Sequence, residues 1–186
     1  MKKATLGALI VGAIIGLGIS YVAAVLVDVT GKPNFCASCH TMKPMVESFH
    51  QSVHGGMNPQ GFAVHHCTDC HLPKNSLIGY LIAKGISGTK DALSEFGIIS
   101  RVDFKENFWE MKHYVYDSAC LQCHHMVKEP EKAFAMSEGS RYAHEQYWKE
   151  KNAGKDISCV SCHNDYTMVN FAHPNLLERL NETEGK

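Results

Sequence analysis

Cys36-Ala-Ser-Cys39-His40, Cys67-Thr-Asp-Cys70-His71, Cys120-Leu-Gln-Cys123-His124 and Cys159-Val-Ser-Cys162-His163 are four copies of one pattern, C-x-x-C-H. Together they use all eight cysteines of the 186-residue chain. C-x-x-C-H is the attachment pattern of c-type haem: two thiols form thioethers with the porphyrin edge, and the adjacent imidazole is held under the iron as an axial ligand. Zinc ribbons and disulfide frameworks also use paired cysteines, but neither requires a histidine directly after every pair. With 12 histidines in the chain, four such coincidences have a chance probability on the order of 10⁻⁵. The chain reads as a tetrahaem c-type cytochrome with four covalently bound haem c groups. Its interior is then largely porphyrin, and the ordinary estimate of a polypeptide core does not apply.

The N-terminus has a different character. After Met1-Lys2-Lys3, an uncharged run extends from Ala4 to Val27 and is ended by Asp28. Wound as a helix it spans roughly 36 Å, enough to cross a bilayer. A cleaved secretory signal has a shorter apolar region and a small-x-small cleavage site. Val22-Ala23-Ala24 matches that site poorly, so the run is expected to be a retained single-pass anchor. Lys2 and Lys3 place the N-terminal stub in the cytoplasm. The haem domain then lies across the bacterial inner membrane, in the periplasm. Ala8, Gly12, Gly16, Ser20 and Ala24 form a stripe of small residues along the anchor, either ordinary membrane-helix composition or a face for self-association or docking. The formal net charge of −1 argues against a nucleic-acid binder.

The expected organisation is residues 1–28 as stub and anchor, 29–175 as the tetrahaem domain, and 176–186 as a polar, loose tail. The fold class is mainly α with much irregular structure. The haem domain reads as two dihaem halves, about 29–104 and 105–175. Each half opens with C-x-x-C-H-x-M, placing Met42 and Met126 alike. Each also carries a histidine shortly before its second motif, His54 and His144, as an internal duplication would produce. Between the halves, Leu77, Ile78, Leu81, Ile82 and Ile86 share one face of a helix expected to end near Ser87. That helix lies either at the membrane surface or over a haem. A further aromatic helix is expected from Lys105 to Ser118.

Four irons offer eight axial positions. The motif histidines His40, His71, His124 and His163 fill four at most, and eight other histidines remain: His50, His54, His65, His66, His113, His125, His144 and His173. The repeat singles out His54 and His144, and Pro174 would rigidify the loop carrying His173. After His71 there is no histidine until His113, only Lys84, Lys90 and Asp91, so the first haem lacks an obvious distal histidine. Met42 is either its ligand, which would raise the haem potential relative to bis-histidine coordination, or a packing residue beside the porphyrin.

The anchor, the four motifs, His54-Gly55-Gly56, Cys70-His71-Leu72-Pro73 and Ala172-His173-Pro174 resemble the NapC/NirT family of membrane-anchored tetrahaem quinol dehydrogenases. Within it, Cys36-Ala-Ser-Cys39-His40-Thr41-Met42 is most similar to the small-subunit (NrfH) branch of cytochrome c nitrite reductase. That resemblance implies Met42 as the ligand of the first haem, leaving the ligation of His40 uncertain. It also implies a quinol site formed by Lys84 and Asp91, and His54, His144 and His173 as distal ligands beside His71, His124 and His163. By pseudo-symmetry His54 would serve the fourth haem, His144 the second and His173 the third. The implied activity is oxidation of menaquinol, with electrons passed to a periplasmic multihaem nitrite reductase. The alternatives are supply of a nitrate reductase or of several reductases, a passive electron carrier, and a terminal enzyme or gas sensor at an open first haem.

Overall fold

The uncharged N-terminal run forms one helix, α1 (Lys3–Val29), with none of its residues buried. Its 27 residues span about 40 Å at 1.5 Å per residue, and it is the helix among the described residues long and apolar enough to cross a bilayer. The computed structural model describes residues 3–164, 173 and 175–184. Lys2 of the expected topogenic pair, and Ala172 and Pro174 of the Ala-His-Pro segment, lie outside them. Space is open beside Gly12 and Gly16 of the small-residue stripe.

The remaining described residues are helices and 3-10 turns joined by irregular segments. Their one piece of β pairing is an isolated bridge between Gly55 and Ala63. The helices are α2 (Pro33–Cys36), α3 (Lys43–His50), α4 (Thr68–His71), α5 (Leu77–Glu95), α6 (Phe104–Trp109), α7 (Asp117–Cys123), α8 (Glu138–Asn152) and α9 (Leu176–Glu184). Few apolar side chains are buried among the described residues, chiefly Val46, Phe49, Leu72, Phe108, Tyr147, Leu176 and Leu180. A polypeptide core this small is what a domain assembled around large prosthetic groups requires.

Three expectations about the helices are corrected. The helix expected to end near Ser87 continues to Glu95. The Ser76 side chain caps its start by accepting from the Gly79 amide at 3.0 Å, and the stop signal lies at Gly97. There φ is +69°, with Gly97 N–H donating to Ser94 O (3.0 Å) and Ile98 N–H to Leu93 O (2.9 Å), a Schellman closure that favours glycine.

The single helix expected over Lys105–Ser118 is broken into α6, a 3-10 turn at Met111–His113 and the start of α7. The break has a cause: the Tyr114 carbonyl accepts from His71 Nδ1 at 2.9 Å, and the Tyr116 amide donates to Cys70 O at 3.2 Å. A continuous helix would have consumed those groups.

The tail expected to be loose forms α9. Leu176 and Leu180 pack with Phe108 into a buried cluster flanked by Met45, Phe104, Met111 and Leu177, and Arg179 pairs with Glu47 at 3.3 Å. Apolar residues at i, i+1 and i+4 supplied a face that polar composition concealed.

Candidate functional site

The four motifs are brought together by hydrogen bonds between their own backbones and neighbouring segments. The Cys67 amide donates to Gly31 O at 2.8 Å, tying the second motif to the segment that follows the anchor. The second and third motifs are joined by the Tyr116–Cys70 bond and by the Lys74 amide donating to Ser118 Oγ at 3.1 Å. The third and fourth are joined by the Cys159 amide donating to Asp117 Oδ1 at 2.8 Å. In both halves, therefore, the amide of the second motif's first cysteine is held by the segment just before the first motif.

The sulfurs follow the same order. Cys36 and Cys67 are hydrogen-bonded partners, which pulls the Cys36 thiol down to about 7 and pushes Cys67 up. Cys120 and Cys159 form the matching pair, with Cys120 lowered and Cys159 raised. Burial pushes Cys70 up to about 11, with Cys120 and Cys123 close enough to add to the rise. Cys39, Cys123 and Cys162 complete the four pairs, and no disulfide joins any of these cysteines among the described residues. Among the described residues no three His, Cys, Asp or Glu side chains converge as a zinc site would require.

Three motif histidines each face a second imidazole. Ring centroids are 6.3 Å apart for His71 and His173, 6.1 Å for His54 and His124, and 6.1 Å for His144 and His163. Two imidazoles bound trans to one metal at the ~2 Å typical of histidine nitrogen, with about 1 Å more from nitrogen to ring centre, have centroids about 6 Å apart. All three pairs fit that spacing. Backbone carbonyls accept from the Nδ1 atoms of His71 (Tyr114 O, 2.9 Å), His144 (Ser140 O, 2.8 Å) and His173 (Met45 O, 3.1 Å). Each ring is thereby held in the tautomer that leaves Nε2 to accept a metal.

Desolvation lowers the pKa of His71, His124 and His163, and takes His173 down to about 4. These imidazoles are neutral at pH 7, the form that binds iron. The residues present fit four covalent haems, three of them with two facing histidines.

The pairing differs from the pseudo-symmetric expectation for all three distal histidines. His54 stands by the third motif instead of the fourth, His144 by the fourth instead of the second, and His173 by the second instead of the third. Local packing explains the change. The helix α8 carrying His144 folds back on its own half, with Tyr147 OH donating to Asp117 Oδ2 (2.6 Å), Lys151 paired with the same carboxylate, and Trp148 Nε1 donating to Val127 O (2.6 Å). The α9 cluster packs against Met45 of α3, and the His173 ring bonds the Met45 carbonyl (3.1 Å) beside the second motif.

His54 lies in a loop closed by Asn58, whose side chain bonds Val53 O, Phe62 O and the amides of Gln60 and Phe62. Gly55 is required there: a Cβ would sit 1.9 Å from the Phe49 carbonyl oxygen. Other histidines are engaged elsewhere, His66 with Asp28 at 2.8 Å and His113 with Glu110 at 3.2 Å.

The first motif is arranged differently. His40 pairs with Glu95 at 3.1 Å, and Met42 ends the 3-10 turn His40–Met42 that leads into α3. Lys84 and Asp91, seven residues apart on α5, both act on the charge of Cys36. Partial burial of the Asp91 carboxyl raises its pKa, against a weaker pull from His71. Sequence reasoning did not single out Asp117 or Glu95. Asp117 carried a faint signal as an acid three residues before a motif, whereas Glu95 carried none.

Comparisons with known proteins point to one family. Residues 1–173 match the profile of the NapC/NirT cytochrome c family, N-terminal region. Cytochrome c-type protein TorC of Escherichia coli K12 is 28% identical over 148 residues, which cover 70% of this chain and 37% of TorC. TorY of Escherichia coli O157:H7 is 32% identical over 66% of this chain and 35% of its own length. The chain thus spans little more than a third of either relative. Cytochrome c nitrite reductase subunit NrfH of Nitratidesulfovibrio vulgaris is 29% identical over 62% of this chain and 66% of that subunit. No solved structure matches. On the family profile covering nearly its whole length, the chain belongs to the NapC/NirT cytochrome c family.

Proposed function

We propose that this protein is a single-pass, periplasm-facing quinol dehydrogenase that oxidises menaquinol and hands the electrons to a periplasmic reductase, a multihaem nitrite reductase before all others. The observation that carries this reading is that a carboxylate and an ammonium, Asp91 and Lys84, share one helix and are near enough to the first haem-binding cysteine for both charges to act on its thiol. The surroundings of α5 support it. Leu77, Ile78, Leu81, Ile82 and Ile86 are exposed along the helix, and such a face suits the membrane boundary where quinol resides. The Tyr80 hydroxyl reaches Thr68 Oγ1 at 3.3 Å, and Thr68 packs on Gly31 just after the anchor.

The proposed ligand set takes Met42 for the first haem, as the family resemblance implies, and is supported for the others by the facing rings: His71 with His173 for the second, His124 with His54 for the third, and His163 with His144 for the fourth. Bound there, haem supplies one-electron transfer at potentials tuned by these ligands. The chain's own residues supply the proton chemistry. Oxidising a quinol releases two protons and two electrons; Asp91, with its raised pKa and accessible carboxyl, takes one proton from a bound hydroxyl and passes it to the periplasmic solvent, where the second also leaves. Lys84 hydrogen-bonds the head-group oxygen and stabilises the negative charge that develops as the proton leaves.

The nitrite branch is favoured by Met42 in its C-x-x-C-H-x-M setting, and by a relative of that branch covered over most of its length. Two experiments test the reading. Detergent-solubilised protein reduced by a menaquinol analogue should lose on the order of 10²-fold in rate on Asp91→Asn, with four haems still bound. Normal turnover by that variant would remove Asp91, and no reduction of the wild type by quinol alone would leave a passive carrier. Isolation from membranes with its bound partner, followed by mass spectrometry, identifies the reductase.

A further inference from the structure

We infer that Glu95 is a positioning residue that selects the axial ligand of the first haem, by latching His40 away from the iron and leaving that place to Met42. The inference rests on the ligand reading above and deepens it. Its basis is a difference among the four motif histidines. His71, His124 and His163 each face a second imidazole. His40 faces none among the described residues. Its side chain is 68% exposed, and its Nδ1 lies 3.1 Å from Glu95 Oε1. The second carboxylate oxygen of Glu95 accepts from Thr41 Oγ1 at 3.2 Å. The two oxygens of one carboxylate therefore hold His40, the last residue of the first motif, and Thr41 after it, while the next residue is Met42.

The latch is built on a firm base. Glu95 is the last residue of α5, 31% exposed at its side chain, and the Schellman closure at Gly97 fixes the helix end that carries it. It stands on the same helical face as Lys84 and Asp91, four residues after the latter. One helix thus carries both the proposed quinol groups and the device that sets the ligand beside them. Imidazole and thioether compete for the same iron face, and thioether gives the higher potential. A freed His40, attached at the motif's own ligand position, would win that competition and make the first haem a poorer electron acceptor.

The test uses the full, haem-loaded chain in detergent, with haem content counted for every variant. The readouts are the sulfur-to-iron charge-transfer band, magnetic circular dichroism and a redox titration. Wild type should show one methionine-ligated haem. Glu95→Ala should lose that signature and lower the potential of one haem while the other three are unmoved. Glu95→Gln keeps a hydrogen-bond acceptor for His40 and should retain both. Glu95→Asp keeps the charge and the helix but withdraws the carboxylate by a methylene, and should lose part of the methionine signal. That variant keeps the proposal falsifiable where Glu95→Ala fails to accumulate. An unchanged methionine band and potential in Glu95→Ala, or in Glu95→Asp where the alanine variant is absent, overturns the latch and leaves the quinol reading standing. Loss in Glu95→Gln as complete as in Glu95→Ala also overturns it. A wild type with no methionine-ligated haem overturns the latch and the Met42 assignment together, while turnover with quinol still judges Asp91 separately.

Discussion

Replacing Asp117 by alanine removes the joint between the third and fourth motifs. The carboxylate is 15% exposed and accepts from the Cys159 amide (2.8 Å), from Tyr147 OH (2.6 Å) and from the Lys151 ammonium. In the alanine variant the amide and the buried phenol each lose a partner at about 1 kcal/mol or slightly more. Lys151, 35% exposed and also donating to Ile157 O, recovers part of its loss in solvent and adds about 1 kcal/mol at most. A total near 3 kcal/mol lowers the unfolding midpoint of a domain this size by roughly 6–12 °C, read by thermal denaturation of the solubilised protein. Asp117→Asn keeps an acceptor for the amide and should cost about half as much.

The pH dependence has a definite sign. Burial alone would raise the pKa of Asp117, but hydrogen bonds from Lys151, Tyr147 and Cys159 outweigh it and lower the pKa. A carboxylate depressed in the folded state stabilises above its unfolded value, about 3.9, and that contribution is lost as pH falls through the lower folded value. The gap between wild type and Asp117→Ala should therefore be constant from pH 7 to about pH 5 and shrink below about pH 4. A midpoint within about 1 °C of wild type at pH 7, or a gap that widens on acidification, refutes the reasoning.

Two further outcomes follow from packing. Gly55→Ala forces a Cβ to within 1.9 Å of the Phe49 carbonyl oxygen, so the His54 loop must shift. Electron paramagnetic resonance should show one bis-histidine haem lost or made heterogeneous, with the other signals intact. Leu180→Ala opens the α9 cluster, where Leu180 is 5% exposed, at a cost of about 2–3 kcal/mol. Because Met45, whose carbonyl bonds His173, packs on this cluster, that variant should also become more open to cyanide at the second haem, measured by difference spectroscopy.

The cysteine motifs and the anchor were legible in the sequence because their physics is local. Two thiols and the following imidazole reach one porphyrin from five consecutive residues, and a bilayer reads only length and polarity. The presence of a helix from Leu77 was legible in the same way, through the spacing of its apolar residues. Its true end was not, because a glycine by itself does not mark a helix stop: Gly85 and Gly88 lie inside α5, and only the backbone closure onto Leu93 and Ser94 makes Gly97 the end. Tertiary structure alone decided which histidine faces which. Internal duplication suggested a symmetric exchange, but α8 folds back through Tyr147 and Lys151 onto Asp117, and α9 buries Leu176 and Leu180 against Phe108. Those contacts, made between segments distant in sequence, move His144 to the fourth motif and His173 to the second. The exceptional character of the first motif was visible as Met42. That His40 meets Glu95 became visible only when the end of α5 was placed beside it, since a carboxylate in sequence carries no record of the imidazole it will meet.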